Sequence, residues 1–331
     1  MVKHEIKKIT HYEYWPFWIF YIPMIPFYLW FSIKARSLLY FTATNPGLNH
    51  GGLFNYSKFK LQEQIPEEYR PAHQFLKAAN RQDFIPQFEF PFIGKPDFGE
   101  RGVNVDLIQH NKQLGAYLRN NPKDIIFQEF INLPFEFGIF YVKYPNQENG
   151  KIISITGKKF LIFEGDGQKS LREFIESDSR AYFNKSYLYM KFHDQQELVL
   201  PKGQKIILEE IGNHNRGTYF YDASEINSTT LENVVTKIAS SIDGFYFGRL
   251  DIKTQSVEEL SKGNFKILEI NGSNSEASHV YDEKYSLLQA YKEVYRHLKI
   301  QNEIGIENMK NGFQPDKLTD FVPHLLRFLF K

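Results

Sequence analysis

The segments Phe245-Tyr246-Phe247-Gly248-Arg249-Leu250-Asp251-Ile252 and Phe265-Lys266-Ile267-Leu268-Glu269-Ile270-Asn271 lie close together in the chain and are alike in character. Each is an apolar run of strand length, Phe245 to Ile252 and Phe265 to Ile270, interrupted by a few polar residues. Residues two apart on a strand share a face. Arg249 and Asp251 therefore point together, and so do Glu269 and Asn271. Two adjoining strands of this kind converge Asp251, Glu269 and Asn271 on one spot. Oxygen ligands without His or Cys suit Mg²⁺, with Mn²⁺ as an alternative. Arg249 beside them is placed to stabilise charge on a transferring phosphoryl group or an acyl phosphate. The competing reading is a pair of edge-strand salt bridges. The position of the polar cluster inside apolar strands weighs against it.

Upstream, Phe92-Ile93-Gly94-Lys95-Pro96-Asp97-Phe98-Gly99-Glu100-Arg101-Gly102-Val103 delivers a lysine on a strand and then a glycine-containing loop. Lysine is a compact cation suited to phosphate oxygens. Gly99 and Gly102 let backbone N–H groups approach those oxygens. The order of a P-loop is absent. Next comes Gln128-Glu129-Phe130-Ile131, followed by Glu136. A strand running into a connecting segment offers alternating backbone donors and acceptors for an adenine edge, and a carboxylate accepts from a ribose hydroxyl. Taken singly, each of these glutamates reads better as a solvated surface residue. A further segment, Glu209 to Thr218, sets His214, Arg216 and two asparagines between glycines. It reads either as a holder of an anionic substrate group, with Arg216 as a bidentate partner, or as a hydrogen-bonded turn.

These segments, in this order, resemble the ATP-grasp superfamily, and within it the D-alanine–D-alanine ligase-like branch of carboxylate–amine ligases. The likeness spans roughly residues 72–300. It implies an α+β fold of two subdomains sandwiching ATP. It implies that Lys95 contacts ATP phosphates, that Gly99, Gly102 and Val103 close over them, and that Glu129, Phe130 and Ile131 read the adenine while Glu136 holds the ribose, with Leu268 also binding the cofactor. Asp251, Glu269 and Asn271 would hold metal, typically two Mg²⁺ ions, with Lys95, Arg216 and Arg249 as catalytic residues. An additional upstream phosphate lysine is expected, for which Lys77 is the nearest match. Lys158 and Lys159 read either as phosphate contacts or as surface lysines. The branch normally has an N-terminal α/β domain that helps to bind substrate, and that space holds different sequence here.

That sequence is aromatic. No charged residue lies between Tyr14 and Ile33, and the chain's 3 tryptophans all fall there. Pro16, Pro23 and Pro26 are expected to interrupt any helix, and Lys3, Lys7 and Lys8 on one side face Lys34 and Arg36 on the other. Positive charge on both flanks suits a segment whose ends stay on one side of a membrane. The alternative is an arm packed on the protein's own body or on a partner. The expected organisation is a re-entrant or interfacial segment at 1–44, a linker at 45–71, a catalytic domain at 72–300 and a tail at 301–331 with an amphipathic helix. Location is expected at the cytoplasmic face of a membrane, monotopic or peripheral.

The remaining sequence reads as mixed α and β. Helices are expected at Pro71 to Asn80, Val105 to Asn120, Leu231 to Ile242 and Tyr285 to Leu298. Further strands are expected at Phe88 to Lys95, Asp124 to Phe130, Phe137 to Val142 and Lys151 to Ile155. With 331 residues the chain has enough length for a sizeable core. A net charge of +1 gives no electrostatic footprint for nucleic acid. The absence of cysteine excludes disulfides and thiolate chemistry. The expected activity is an ADP-forming, ATP- and Mg²⁺-dependent ligase acting on a carboxylate and an amine or other nucleophile, one of them lipid-linked. A kinase on the same scaffold and a non-catalytic membrane-associated nucleotide binder are the alternatives. A homodimer is compatible with the aromatic content.

Overall fold

The computed structural model describes residues 2–81, 84–99, 102–209, 212 and 217–329. Two antiparallel sheets face each other across a cleft. The smaller holds β1 (His73–Leu76), β2 (Phe92–Pro96), β3 (Asp106–Ile108) and β4 (Ile125–Glu129), in the order β1-β4-β2-β3. The larger holds β5 (Phe135–Val142), β6 (Lys151–Lys159), β9 (Tyr219–Asp222), β10 (Phe247–Thr254) and β11 (Lys266–Asn271), in the order β11-β10-β5-β6-β9. Between β6 and β9 a two-stranded unit, β7 (Ile162–Glu164) and β8 (Lys205–Ile207), carries its own small core with the helix Leu171–Ser177. The fold is α+β, as expected.

The larger sheet is two-faced. Phe137, Ile139, Tyr141, Leu250 and Ile252 are buried against Leu231, Val235 and Ile238 of the helix Thr229–Ser240. The residues between them, among them Glu136, Gly138, Arg249, Asp251 and Lys253, take the opposite face. That face turns toward the cleft. The smaller sheet is backed by the helix Asn111–Asn120, whose Leu114 and Tyr117 pack with Phe92, Ile108 and Phe127.

Several expectations need correction. Pro71 to Asn80 is not a helix: it forms β1, an edge strand paired with β4, followed by a single 3₁₀ turn at Ala78–Asn80. Val105 to Asn120 splits into β3 and the helix Asn111–Asn120, with His110 capping the helix through its ring nitrogen. The last long helix continues well past Leu298, spanning Leu287–Lys310, and so crosses the expected boundary at residue 300.

Residues 45–71, read as a linker, are folded onto the body. Asn45 is fully buried. Its Nδ2 donates to the carbonyls of Gly51 and Phe247, and its Oδ1 accepts from the amides of Tyr246 and Phe247, at 2.8 to 3.0 Å. One side chain thereby ties this strap to the start of β10.

The aromatic segment is helical throughout, as Phe17–Tyr21, a 3₁₀ turn at Ile22–Met24, and Ile25–Ala35. The prolines do not break it. Pro16 precedes the first piece, and Pro23 and Pro26 sit in the first turns of the next two, where an absent N–H costs little. By length and composition the run Phe17–Ala35 is sufficient to cross a membrane. One face is packed: Phe20 and Met24 on Val280, Ala290 and Val294, and Phe31 and Ala35 with Tyr40. The other face is exposed, with Trp18 at 64%, Trp30 at 56% and Ile33 at 70% exposure. At the far end of the chain, Phe321 of the helix Leu318–Leu329 packs with Leu39 and Phe54, joining the two terminal regions in one cluster.

Candidate active site

The site is built from strand register. In β10 and β11, Arg249 stands opposite Asn271 and Asp251 opposite Glu269. All four side chains therefore share the cleft face. The register slips just beyond, so that Ile252 stands opposite Ile267 and Leu268 has no opposite number. A bulge of this kind removes a carbonyl from the ladder. The Leu268 carbonyl accepts from Lys95 Nζ at 3.1 Å. The irregularity in the large sheet is thus where the small sheet's lysine reaches across.

Asp251 is held from three directions. Arg249 meets it through Nε and Nη2, each at 3.1 Å. Lys158 Nζ lies 3.0 Å from Oδ1, and Asn271 Nδ2 donates to Oδ2 at 3.0 Å. Burial alone would raise this carboxyl, but Arg249 and Lys158 outweigh it and hold Asp251 at about 2. Lys158 also meets Glu136 at 2.8 Å, and it stays protonated well into the alkaline range because those two carboxylates outweigh its burial. Glu269 is ion-paired with Lys58 at 2.6 Å. Burial would raise the Glu269 carboxyl, and Lys58 and Lys95 bring it below the ordinary glutamate value.

Lys95 is buried and donates to Gln128 Oε1 at 2.5 Å. Burial lowers its ammonium to about 8, with Glu269 opposing that shift and Lys58 reinforcing it. Arg249 Nη1 also donates to Ser278 Oγ at 3.0 Å. Two glycines keep the face open. A Cβ on Gly138 would stand 2.9 Å from Arg249 Cδ, and one on Gly212 would stand 2.2 Å from a Glu136 carboxylate oxygen.

Other expected residues are less central. Lys159 is exposed and points the other way from Lys158, its ammonium 4.8 Å from the Tyr221 ring. Lys77 is exposed at the end of β1 and does not line the cleft. Gly102 reaches the cleft wall with φ of 70°, whereas Gly99 and Val103 do not line it, and Val103 is 61% exposed. Glu129 caps the edge of the small sheet, accepting from the Ala72 amide at 3.2 Å. Phe130 and Ile131 form the connection between the sheets. The Ile131 carbonyl accepts from Lys253 Nζ at 3.2 Å, and that ammonium lies 5.3 Å from the Phe130 ring. Arg216 lies outside the described residues, as do Glu100 and Arg101.

Three contributors escaped the sequence reading. Lys58, upstream of both sheets, lines the cleft, where Lys77 does not. It begins the helix Lys58–Glu63, capped by Ser57, and Asp97 at the end of β2 holds that turn through Ser57 Oγ at 2.9 Å and the Phe59 amide at 2.8 Å. Gln128 was read for its backbone, yet its side chain meets both Lys95 and, at 3.3 Å, Gln62. Lys253 follows the two-residue phase of Arg249 and Asp251, which was the available signal.

These groups line a cavity of about 730 Å³ between the two sheets. Asp251 and Glu269 face each other with the Asn271 amide beside them, a hard oxygen donor set that fits a divalent cation. Among the described residues no group of three or more His, Cys, Asp or Glu side chains forms a metal cluster. Further ligands would have to be phosphate oxygens or water.

No protein-family model matches the chain, and no curated protein matches it. Solved structures of ligases and of a synthetase are similar to it. D-alanine–D-alanine ligase from Bacillus anthracis is 11% identical, with a TM-score of 0.42 over 77% of this chain and 67% of that one. The enzyme of the same name from Helicobacter pylori is 15% identical, with a TM-score of 0.39 over 76% and 60%. A bifunctional glutathione synthetase from Pasteurella multocida is 14% identical, with a TM-score of 0.37 over 72% and 36%. The chain thus spans between 36% and 67% of the length of these three proteins.

Proposed function

We propose that this protein is an ATP- and Mg²⁺-dependent ligase that activates a carboxylate as an acyl phosphate and joins it to an amine or other nucleophile. The observation that carries this reading is the register of β10 on β11. It puts two carboxylates, an amide and an arginine on one face, where Lys158 of β6 joins them and Lys58 and Lys95 reach in from outside the sheet. The Lys58, Lys95 and Lys158 ammonium groups and the Arg249 guanidinium in one cleft suit a nucleoside triphosphate and the phosphoryl group in transfer. In this reading Asp251, Glu269 and Asn271 hold Mg²⁺, which when bound neutralises phosphate charge. Lys58 and Lys95 orient the phosphates. Arg249, braced by Asp251 and Ser278, faces the acyl phosphate. The segment Glu129–Ile131 takes the adenine, and Glu136 the ribose. The rate enhancement comes from positioning and charge neutralisation.

The exposed face of Phe17–Ala35 supports a membrane or cell-envelope substrate, lipid-linked on one partner. Trp and Ile exposed on a helix whose other face is packed on the body suit a chain lying in the bilayer interface at the cytoplasmic side, where ATP is available. The test is product identification by mass spectrometry, with ATP and detergent-solubilised membrane extract. ADP, phosphate and a condensed product are expected. Release of AMP and pyrophosphate would move the chain to an adenylating class.

A further inference from the structure

The tail helix Leu318–Leu329 is held to the body by one edge. Phe321 and Leu325, one turn apart, pack with Leu39, Leu53 and Phe54. The chain leading into this helix is tied to the same region. The Asp316 amide donates to Thr42 Oγ1 at 2.9 Å, its carboxylate meets His50 Nδ1 at 2.5 Å, and Asn308 Nδ2 donates to the Ala43 and Thr44 carbonyls at 2.9 and 3.1 Å. Met309 reaches the cluster that Phe31 and Ala35 form with Tyr40 at the end of the arm. Arm and tail are therefore neighbours.

That seating leaves apolar surface uncovered. Residues four apart on a helix lie on one stripe. Leu318, Val322 and Leu326 form such a stripe beside the packed edge, and all three are exposed. Leu38, next to the packed Leu39, is exposed too, as are Ile33 at the end of the arm and Phe313 ahead of the tail helix. The exposed side of the arm thus continues past the cluster of Leu39 and Phe321 onto the tail.

The charges around this surface are lopsided. Residues 33–54 carry Lys34 and Arg36 and no acid, and residues 308–327 carry Lys310, Lys317 and Arg327 against Asp316 and Asp320. Asp316 is engaged by His50. All five cations are exposed, and among the described residues no salt bridge engages any of them. The whole chain is nearly balanced at +1, so the excess is local. A second copy of the chain, meeting this face with its own, would set like charges against each other. Apolar side chains fringed by cations complement an anionic bilayer, where the apolar groups enter the acyl boundary and the Lys and Arg heads stay among the phosphates.

We propose that the tail helix and the end of the arm form one lipid-contacting face, and that its five cations make it select anionic lipid. The proposal rests on the membrane reading of the arm and deepens it by naming the lipid and adding a second element. Phe54 and Leu325 also line the cavity of the candidate active site, so the cluster beneath this face is at the same time a wall of that cavity.

The test is co-flotation of the full-length protein with two kinds of vesicle, phosphatidylcholine alone and phosphatidylcholine with a third phosphatidylserine. At low salt the anionic vesicles are expected to bind at least about tenfold more tightly, and raising the salt should shrink that preference while leaving apolar binding in place. Changing Lys34, Arg36, Lys310, Lys317 and Arg327 together to Gln should bring the two affinities to within about threefold. Leu318→Ser with Val322→Ser and Leu326→Ser spares Phe321 and Leu325, and should weaken binding to both vesicles several-fold with an unchanged circular dichroism spectrum. Equal binding of both vesicles by the parent overturns the proposal, as does a preference that survives the loss of the five cations, or a triple Ser variant that binds like the parent. In each of those cases the arm still binds lipid and the membrane reading stands. Binding to neither vesicle removes that reading and this proposal together, and elution of such a parent as a dimer would assign the face to a second copy.

Discussion

Lys58 places its ammonium 2.6 Å from the Glu269 carboxylate, although one residue belongs to the strap before the sheets and the other to the last strand of the larger sheet. This pair closes one side of the cleft. It makes the strap part of the proposed nucleotide site rather than a tether to it. Lys58→Met should therefore raise the Kd for ATP by about 1–3 kcal/mol, the range for loss of a charge-assisted contact. Titration with a fluorescent ATP analogue measures it, and an unchanged Kd would remove Lys58 from the site.

Asp251→Asn and Glu269→Gln each delete a charge from the proposed metal face while preserving shape. Turnover should be abolished in both, and ATP binding should weaken less than the rate falls. Phosphate release and nucleotide titration, run side by side, give the comparison. Full activity in both variants would refute the metal assignment.

Lys95 supplies a pH signature. Burial lowers its ammonium to about 8, so without nucleotide it loses its proton as pH rises through that value. A bound triphosphate favours the charged form and raises the pKa. Binding should then take up a proton between pH 8 and the higher bound value, and affinity should decline as pH climbs through the window. Calorimetry in buffers of different ionisation enthalpy reads the uptake directly. Lys95→Met should abolish it.

Gly138 tests the open face sterically. A methyl group there meets Arg249 Cδ at 2.9 Å and Asp251 Oδ1 at 3.3 Å. Gly138→Val should fold, since strands favour β-branched residues, yet lose most turnover by displacing Arg249. A normal circular dichroism spectrum with turnover equal to the parent would show that Arg249 tolerates movement.

The exposed tryptophans test the membrane reading. Trp18→Ser with Trp30→Ser removes apolar surface from the outer face without touching Phe20, Met24 or Phe31. The double variant should shift from the membrane to the soluble fraction in flotation assays. The parent should resist a high-salt wash, since apolar burial is insensitive to screening. A parent chain that stays soluble and monomeric without detergent would leave only the packed-arm reading.

The sequence made the catalytic face legible because strand alternation is a local rule. Arg249, Asp251, Glu269 and Asn271 follow from a period of two. The same rule would have chosen Lys158 over Lys159, had the strand been followed past Ile155 to its end at Lys159. What stayed hidden depends on contacts distant in sequence. Lys58 is positioned by Ser57 and Asp97, and nothing near it in the chain announces that. Strand β1 looked helical because its identity comes from pairing with β4 at the sheet edge. The slip at Leu268, which frees a carbonyl for Lys95, follows from how two strands accommodate each other and leaves no mark in composition. The prolines misled for a related reason: their effect depends on where each falls within a turn.

The contact of Phe321 with Leu39 and Phe54 makes the chain energetically circular. Cutting from either end uncovers the same cluster, so the two truncations share a single loss. Trimming the tail before Leu318 and trimming the head beyond Leu39 should each destabilise the protein, but the double truncation should cost less than the two effects added together.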